Sequence, residues 1–333
     1  MELPFCLLKK TFRYSIILYY VSRIRLVIRV RRPPRAAESC IMFRIKEAYP
    51  LTDITVYMKI EAPDVAKKAG PGQFIILRAD ETGERVPFTI SEADPAEGTV
   101  SIIFQKVGLS TLKLGEKKPG DMIADFVGPL GNVSHLDGYK SACVIGGGLG
   151  CAIALPQAKY LSDHGASVDM IAGFRNKDII ILEPQMKSVC GTLTIMTDDG
   201  SNGNKGLVTD ALKAKIAEGK KYDVVIAIGP PIMMKFVSLL TKEYGIKTIV
   251  SLNPIMIDGT GMCGGCRVTV GGERKFACVD GPDFDGHLVD FDELMKRNAT
   301  YRDIEGECCN LYKMGQQRQS GPSKPSQPEG KES

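Results

Sequence analysis

The segment Ser141-Ala-Cys-Val-Ile-Gly-Gly-Gly-Leu-Gly150 lies near the middle of a 333-residue chain. Its first five residues form an apolar run of the kind that makes a strand buried on both faces, and the run ends in a glycine loop. The next stretch, IALPQAKYLSDHG, reads as helix, and SVDMIAGF reads as a second strand. TLTIMTDD, LVTDALKAKIAEG, DVVIAIGP, IMMKFVSLLTKEYG and KTIVSL continue the alternation. Strand and helix in regular succession predict a doubly wound parallel sheet over residues 139–249. Glycine at the end of its first strand would let the backbone approach a pyrophosphate, and the helix start beyond it offers N–H groups and positive partial charge. The G-x-G-x-x-G register beginning at Gly146 ends on Cys151, so a tight strand-to-helix turn with no ligand stays open. Asp169 lies near the usual place of a ribose-binding acid, but it starts its strand and carries no assignment.

Upstream, residues 42–138 have a different texture. FRIKEAY, ITVYMKIEA, QFIILRA, VPFTISEA, TVSIIFQKV and DMIADFVGP are six short strand-like runs separated by Gly, Pro and Asp. They predict a six-stranded antiparallel barrel. Before it, residues 1–41 hold nine Lys and Arg against two Glu, a net of +7, while residues 42–333 carry a net of −3. The overall +4 is therefore local and gives no support to a nucleic-acid partner. The longest uncharged apolar run there is Tyr14–Ser22, far short of the roughly 20 residues of a membrane span. A disordered or non-native extension is expected, with Met42 as an alternative start. Residues 301–333 are expected to form a tail, disordered from about 315, because no aliphatic or aromatic residue follows Met314.

Downstream, residues 250–300 form a Gly- and Cys-rich module. Five of the ten cysteines, Cys263, Cys266, Cys278, Cys308 and Cys309, fall in the last quarter of the chain. In Asp258-GTGM-Cys263-GG-Cys266-RVTVGGERKFA-Cys278 the gaps are four, two and eleven residues. A plant-type [2Fe–2S] site uses C-x4-C-x2-C with a distal cysteine, and here Asp258 takes the first place. Glycines 259, 261, 264 and 265 let such a loop fold tightly, with N–H groups aimed at sulfur. Zinc held by the three cysteines with Asp258 or His287 is the other reading. A carboxylate ligand donates less charge than thiolate, so the potential of such a cluster should be shifted.

Arg85-Val86-Pro87-Phe88-Thr89-Ile90 opens a predicted barrel strand. Alone it is a surface arginine at a strand entry. With a nucleotide domain downstream it resembles the flavin motif of the ferredoxin–NADP reductase superfamily. The whole order of the chain is similar to electron-transfer subunits of type B dihydroorotate dehydrogenases. It is more similar still to the small (alpha) subunits of NADH-dependent ferredoxin:NADP oxidoreductases, also described as sulfide dehydrogenase subunits. AIGPPIMMKFV (227–237), GFRNKD (173–178) and NPIMIDGTGMCGGC (253–266) carry that likeness, Asp258 included.

The resemblance implies a flavin barrel, a nicotinamide domain and a C-terminal [2Fe–2S] module. It places Arg85 at the flavin phosphates and Thr89 near the isoalloxazine ring. It puts Gln105, Val107, Gly108, Ser110 and Thr111 around FAD. It assigns Gly147, Gly148 and Gly150 to the dinucleotide loop, and Gly229, Pro230 and Met233 to the approach to nicotinamide. Asp258, Cys263, Cys266 and Cys278 would hold the cluster. It also places Pro87 and Phe88 among the flavin-binding residues, where they depart from the superfamily's usual tyrosine arrangement. FAD and the cluster would be resident and NAD(H) the substrate, with no catalytic side chain, in line with only three histidines and no paired-carboxylate motif. The implied activity is that of a cytoplasmic oxidoreductase subunit passing electrons between NADH and a larger flavin and [4Fe–4S] partner in a heterodimer, with electron bifurcation residing in the complex. Two alternatives stand beside it: an electron-transfer subunit for dihydroorotate or sulfide oxidation, and a redox sensor without turnover.

Overall fold

The computed structural model describes residues 42–319, so the expectations for 1–41 and for residues 320–333 lie outside the described residues. The N-terminal part is a barrel of β1 (Phe43–Pro50), β2 (Thr55–Glu61), β3 (Phe74–Arg78), β4 (Arg85–Asp94), β5 (Thr99–Gln105), β6 (Met122–Ile123) and β7 (Asp125–Leu130). Two short helices, α1 (Pro63–Ala66) and α2 (Leu109–Gly115), bridge its strands. The sheet order is β6-β1-β2-β5-β4-β3-β7, seven strands where the sequence predicts six. The difference arises inside the single run DMIADFVGP. Its first part pairs with β1 (Phe43 opposite Ile123) and its second with β3 (Arg78 opposite Asp125). One segment thus meets both edges of the sheet and nearly closes it, which leaves little free edge. Met58, Ile60, Ile75, Leu77, Ile90, Ile102 and Phe104 alternate inward to fill the barrel.

The second part is the predicted α/β sheet. Its elements are β8 (Ser141–Gly147), α3 (Gly150–Asp163), β9 (Ser167–Phe174), α4 (Glu183–Val189), β10 (Thr192–Thr197), α5 (Val208–Ala217), β11 (Val224–Ile228), α6 (Pro231–Glu243) and β12 (Lys247–Ser251). The strand order is β10-β9-β8-β11-β12, all parallel. The chain reverses its winding between β8 and β11, and that switch point is where open α/β sheets bind ligands. All five residues of β11 are buried, as a strand covered by helices on both faces requires. Ile103 from the outer face of β5 joins this domain's core, so barrel and sheet share a packed interface.

The third part holds a hairpin, β13 (Arg267–Val270) and β14 (Glu273–Phe276), then β15 (Asp283–Asp285), α7 (Phe291–Asn298) and α8 (Arg302–Gln319). β15 adds antiparallel to β12, so the α/β sheet takes its sixth strand from the Cys-rich module. α8 is helical across the point where the sequence predicts disorder to begin. Its Tyr312 hydroxyl donates to the Glu116 carboxylate just beyond α2.

The three parts meet at Asp283. Its Oδ2 accepts from Ser134 Oγ at 2.5 Å, in the segment leaving the barrel, and from Gln157 Nε2 of α3 at 3.1 Å. Gly72 sits over the network, and a Cβ there would lie 2.0 Å from Ser134 Oγ. Asp283 Oδ1 and Gln157 Oε1 are buried without a partner. Burial pushes the Asp283 carboxyl up, against hydrogen bonds that pull it down. A carboxyl whose folded value is raised binds its proton more tightly folded than unfolded, so its ionisation removes stability as pH rises through that folded value. Asp283→Asn is therefore expected to hold or raise the melting temperature at neutral pH, by about 1 kcal/mol of stability. It should also flatten the loss of stability as pH rises above the usual carboxylate range. Thermal unfolding of both proteins across that range checks this, and a variant that melts lower at neutral pH would show that the charge itself holds the junction.

Candidate functional site

Strand alternation sorts the residues of the flavin-like motif. On β4, Phe88 and Ile90 face the barrel interior, where the Phe88 ring lies 5.4 Å from Phe104. Arg85, Pro87 and Thr89 share the other face, opposite Arg78, Ile76 and Phe74 of β3. Phe88 therefore packs inside the barrel, at the inner end of a cleft of about 200 Å3 between the turn after β3 and α2. Asp80, Glu84, Leu109, Ser110 and Lys113 line the same cleft. Two of the expected cofactor residues are engaged within the protein. Thr111 Oγ1 accepts from the Val107 and Gly108 N–H groups at 3.0 and 2.9 Å, which pins that turn, and Ser110 Oγ donates to Glu84 at 2.7 Å. Gln105 ends β5 opposite Thr55, and Val107 is 73% exposed.

The nucleotide loop is assembled by glycine contacts. A Cβ on Gly147 would lie 2.5 Å from Met233 Sδ and 3.0 Å from Pro230 Cδ, and one on Gly229 would lie 3.1 Å from Gly147 Cα. The turns after β8 and β11 thus pack on one another at the carboxyl ends of the strands. Gly147, Gly150, Gly229, Pro230 and Met233 come together there, and no side chain caps α3. Gly148 has φ +56° and nothing within 4 Å of a Cβ, so its outer side is open. Cys151, which breaks the glycine register, is fully buried against Gly146. Close helix–strand contact rests on glycine from both sides, Gly146 on β8 against Cys151 and Gly150 at the start of α3 against the end of β11.

Asp169 is at the opposite end of the sheet. It accepts from Tyr222 Oη at 2.8 Å and lies 3.4 Å from Lys220 Nζ. Burial acts to raise its carboxyl, but Tyr222 and the lysines hold it below the usual carboxylate range. It is a structural ion-pair centre, far from the loops at the strand ends.

In the Cys-rich module, Cys266 and Cys278 are buried with their sulfurs 3.2 Å apart. Burial and the neighbouring thiol push Cys278 up to about 12. Cys263 is exposed, and its Sγ accepts from the Gly265 N–H at 3.4 Å. The Thr260 hydroxyl and N–H hold the Asp258 carboxyl below its usual range, helped by the Met262 N–H and the Arg85 charge. Among the described residues, no group of three or more His, Cys, Asp or Glu converges as a metal site. The donor set nonetheless fits a [2Fe–2S] cluster: Asp258, Cys263 and Cys266 share one loop, Cys278 comes just past the β13–β14 hairpin beside Cys266, and N–H groups are already turned toward Asp258 and Cys263. Gly259, Gly261 and Gly264 have φ of +86°, +83° and +66°, the left-handed geometry this curl needs. His287 does not join them, because its Nε2 lies 3.0 Å from Thr241 Oγ1 of α6.

Two contacts that the sequence did not indicate hold the loop in place. Arg297 of α7 donates to the Gly265 carbonyl at 3.0 Å. On the barrel side, a Cβ on Gly259 would lie 2.7 Å from Ile76 and 2.8 Å from Leu130, and Phe74 and Ile76 pack with Met256, Cys266 and Cys278. The loop is therefore docked on the outer barrel face beside Arg85, Pro87 and Thr89.

Comparison with known proteins agrees with this architecture. Residues 253–290 match the family model of the iron-sulfur cluster binding domain of dihydroorotate dehydrogenase B. A Thermotoga maritima protein, described as a homolog of the dihydroorotate dehydrogenase B (NAD(+)) electron transfer subunit, is 49% identical, over 74% of this chain and 86% of that one. The corresponding electron transfer subunit of Desulforamulus reducens is 34% identical, over 72% of this chain and 94% of its own length. Among solved structures, a chain of the NADH-dependent reduced ferredoxin-NADP oxidoreductase, studied for flavin-based electron bifurcation, superposes with a TM-score of 0.77 at 45% identity. That match covers 81% of this chain and 97% of the other. No helix among the described residues is long and apolar enough to cross a membrane.

Proposed function

The chain belongs to the family of dihydroorotate dehydrogenase B electron transfer subunits, and from that premise we propose that it moves electrons between NADH and a larger partner subunit by way of FAD and a [2Fe–2S] cluster. The observation that carries this reading is the docking of the cluster loop on the outer barrel face that bears Arg85, Pro87 and Thr89. FAD, when bound, supplies the conversion of a two-electron hydride into single electrons that an iron–sulfur cluster can accept.

The residues would divide the work as follows. Arg85 would neutralise flavin phosphate charge, Pro87 and Thr89 would lie along the ring system, and Gln105, Val107 and Gly108 would border the cofactor. Ser110 and Thr111 would serve through the turn they stabilise, and Phe88 by filling the barrel beneath. Gly147, Gly148 and Gly150 would admit the dinucleotide phosphates, with Gly229, Pro230 and Met233 positioning the nicotinamide end. Asp258, Cys263, Cys266 and Cys278 would hold the cluster. No side chain in this arrangement needs to move a proton, so binding and orientation are the protein's whole contribution. Ile257, Met262 and Val279 leave exposed apolar surface around the cluster loop, which suits a partner docking where electrons leave.

The finer reading, a heterodimer with a flavin and [4Fe–4S] subunit that reduces ferredoxin and NADP, as opposed to dihydroorotate oxidation, rests on the 45% identity to the oxidoreductase chain and on Asp258. Purified protein should contain FAD, iron and sulfide, and should oxidise NADH with an artificial one-electron acceptor. In the complex isolated from cells, NADP reduction should depend on the co-purifying subunit. Bound FAD without NADH turnover would favour a sensor, and dihydroorotate-dependent NAD reduction would move the chain to the other branch.

A further inference from the structure

Arg85 makes a polar contact between the two cofactor regions. Its Nε donates to the carbonyl of Ile257 at 3.0 Å, across 172 positions of sequence. Ile257 immediately precedes Asp258, whose carboxylate feels the Arg85 charge. Neither terminal nitrogen of the Arg85 guanidinium has a hydrogen-bond or ion-pair partner among the described residues. The neighbouring charges are otherwise committed. Arg78, opposite on β3, bonds Asp125 through Nε at 2.5 Å and the Glu81 carbonyl through Nη1 at 2.7 Å. Glu84 accepts from Ser110. A guanidinium fixed at Nε keeps its outer N–H groups in a rigid plane, the arrangement suited to bidentate contact with phosphate oxygens.

Building on the assignment of Arg85 to the flavin phosphates, we infer that Arg85 couples the two sites: the cluster loop aims the guanidinium through the Ile257 carbonyl, so that an ordered loop strengthens flavin binding and bound flavin strengthens the loop's hold on its metal. Linkage makes the two effects equal in size. One oriented charge-assisted contact corresponds to roughly a tenfold change in affinity. A lysine at this position would keep the charge and lose the fork, since it cannot bond Ile257 and a phosphate in one fixed plane.

The test measures the FAD dissociation constant of the full chain with its cluster and after chelator removal of iron, for the wild type and for Arg85→Lys. The wild type should lose about tenfold in affinity with the iron, while the variant should bind FAD more weakly throughout and change less than about twofold. Equal loss in both proteins would overturn the coupling and leave the flavin assignment standing. Unchanged FAD affinity in cluster-loaded Arg85→Lys would overturn that assignment, and the coupling with it. A second measurement needs no variant: iron retained by wild-type protein at equilibrium with a competing chelator should be about tenfold better protected when FAD is bound. Equal retention with and without FAD would refute the coupling.

Discussion

Cys278→Ala is expected to lose nearly all cluster iron and sulfide, about 20-fold below wild type, while keeping its fold. Cys278 sits beside Cys266 under Phe74 and Ile76, sealed from water on the barrel side. A cluster bound there needs both buried sulfurs as thiolates, and iron repays the cost of ionising a thiol that burial holds near 12. Removing one buried thiol leaves two donors on the exposed loop and one inside, too few to hold two irons. The packing cost is small, because alanine lacks only the sulfur and the pocket is lined by large side chains that can relax. Folding should therefore survive, and an unchanged far-UV circular dichroism spectrum serves as the internal control, because FAD affinity is itself expected to fall about tenfold with the cluster. Metal analysis and electron paramagnetic resonance of the reduced protein report the outcome. Iron kept at half the wild-type level or more would mean that the cluster uses another donor. Asp258→Ala should be milder, since its carboxylate is exposed and water can take its place.

Much of this architecture can be read from the residues because burial leaves a period in the sequence. Val224–Ile228 is apolar throughout and lies between two layers of helices, while alternation in Thr55–Glu61 marks a strand with one face in the barrel. The cluster loop is legible for a different reason: ligand chemistry fixes its spacing. What escapes is set by contacts between distant segments. Nothing in DMIADFVGP says that it changes partner at Ala124, because both halves are equally strand-like. β15 is three residues, Asp-Phe-Asp, too short and polar to read as a strand, and it forms because β12 offers an open edge. α8 lacks a broad apolar face and reads as tail, yet Cys309 and Tyr312 seat it against the α2 region. Gln157 is fully buried in an otherwise apolar helix face, and its partners Ser134 and Asp283 lie 23 and 126 positions away, too far apart for a local pattern to link them. Arg85 was found by motif, and its attachment to Ile257 could be found only in three dimensions.

Gly150→Ala should be the most damaging single substitution in the nucleotide loop, and Gly148→Ala the most informative one beside it. A Cβ on Gly150 would lie 2.1 Å from the Ile228 carbonyl oxygen, 2.7 Å from its carbon and 2.9 Å from Gly229 Cα. These are backbone atoms at the end of a central strand, so no side chain can turn aside and α3 must shift away from β11. Overpacking of this kind costs about 3 kcal/mol, and for a chain of this size that lowers the melting temperature by about 5 °C. The shift also carries the helix start away from the open side of Gly148, so NADH affinity should fall by at least about tenfold. Gly148 meets different physics. Its φ of +56° costs alanine only about 1 kcal/mol, and the space around it is empty of protein. If that space receives the dinucleotide phosphates, Gly148→Ala should melt within about 3 °C of wild type and still raise the KM for NADH about tenfold. Differential scanning calorimetry and NADH titration of both variants separate the two roles. A Gly148→Ala protein with wild-type KM would show that the loop is a packing device alone and that NADH binds elsewhere.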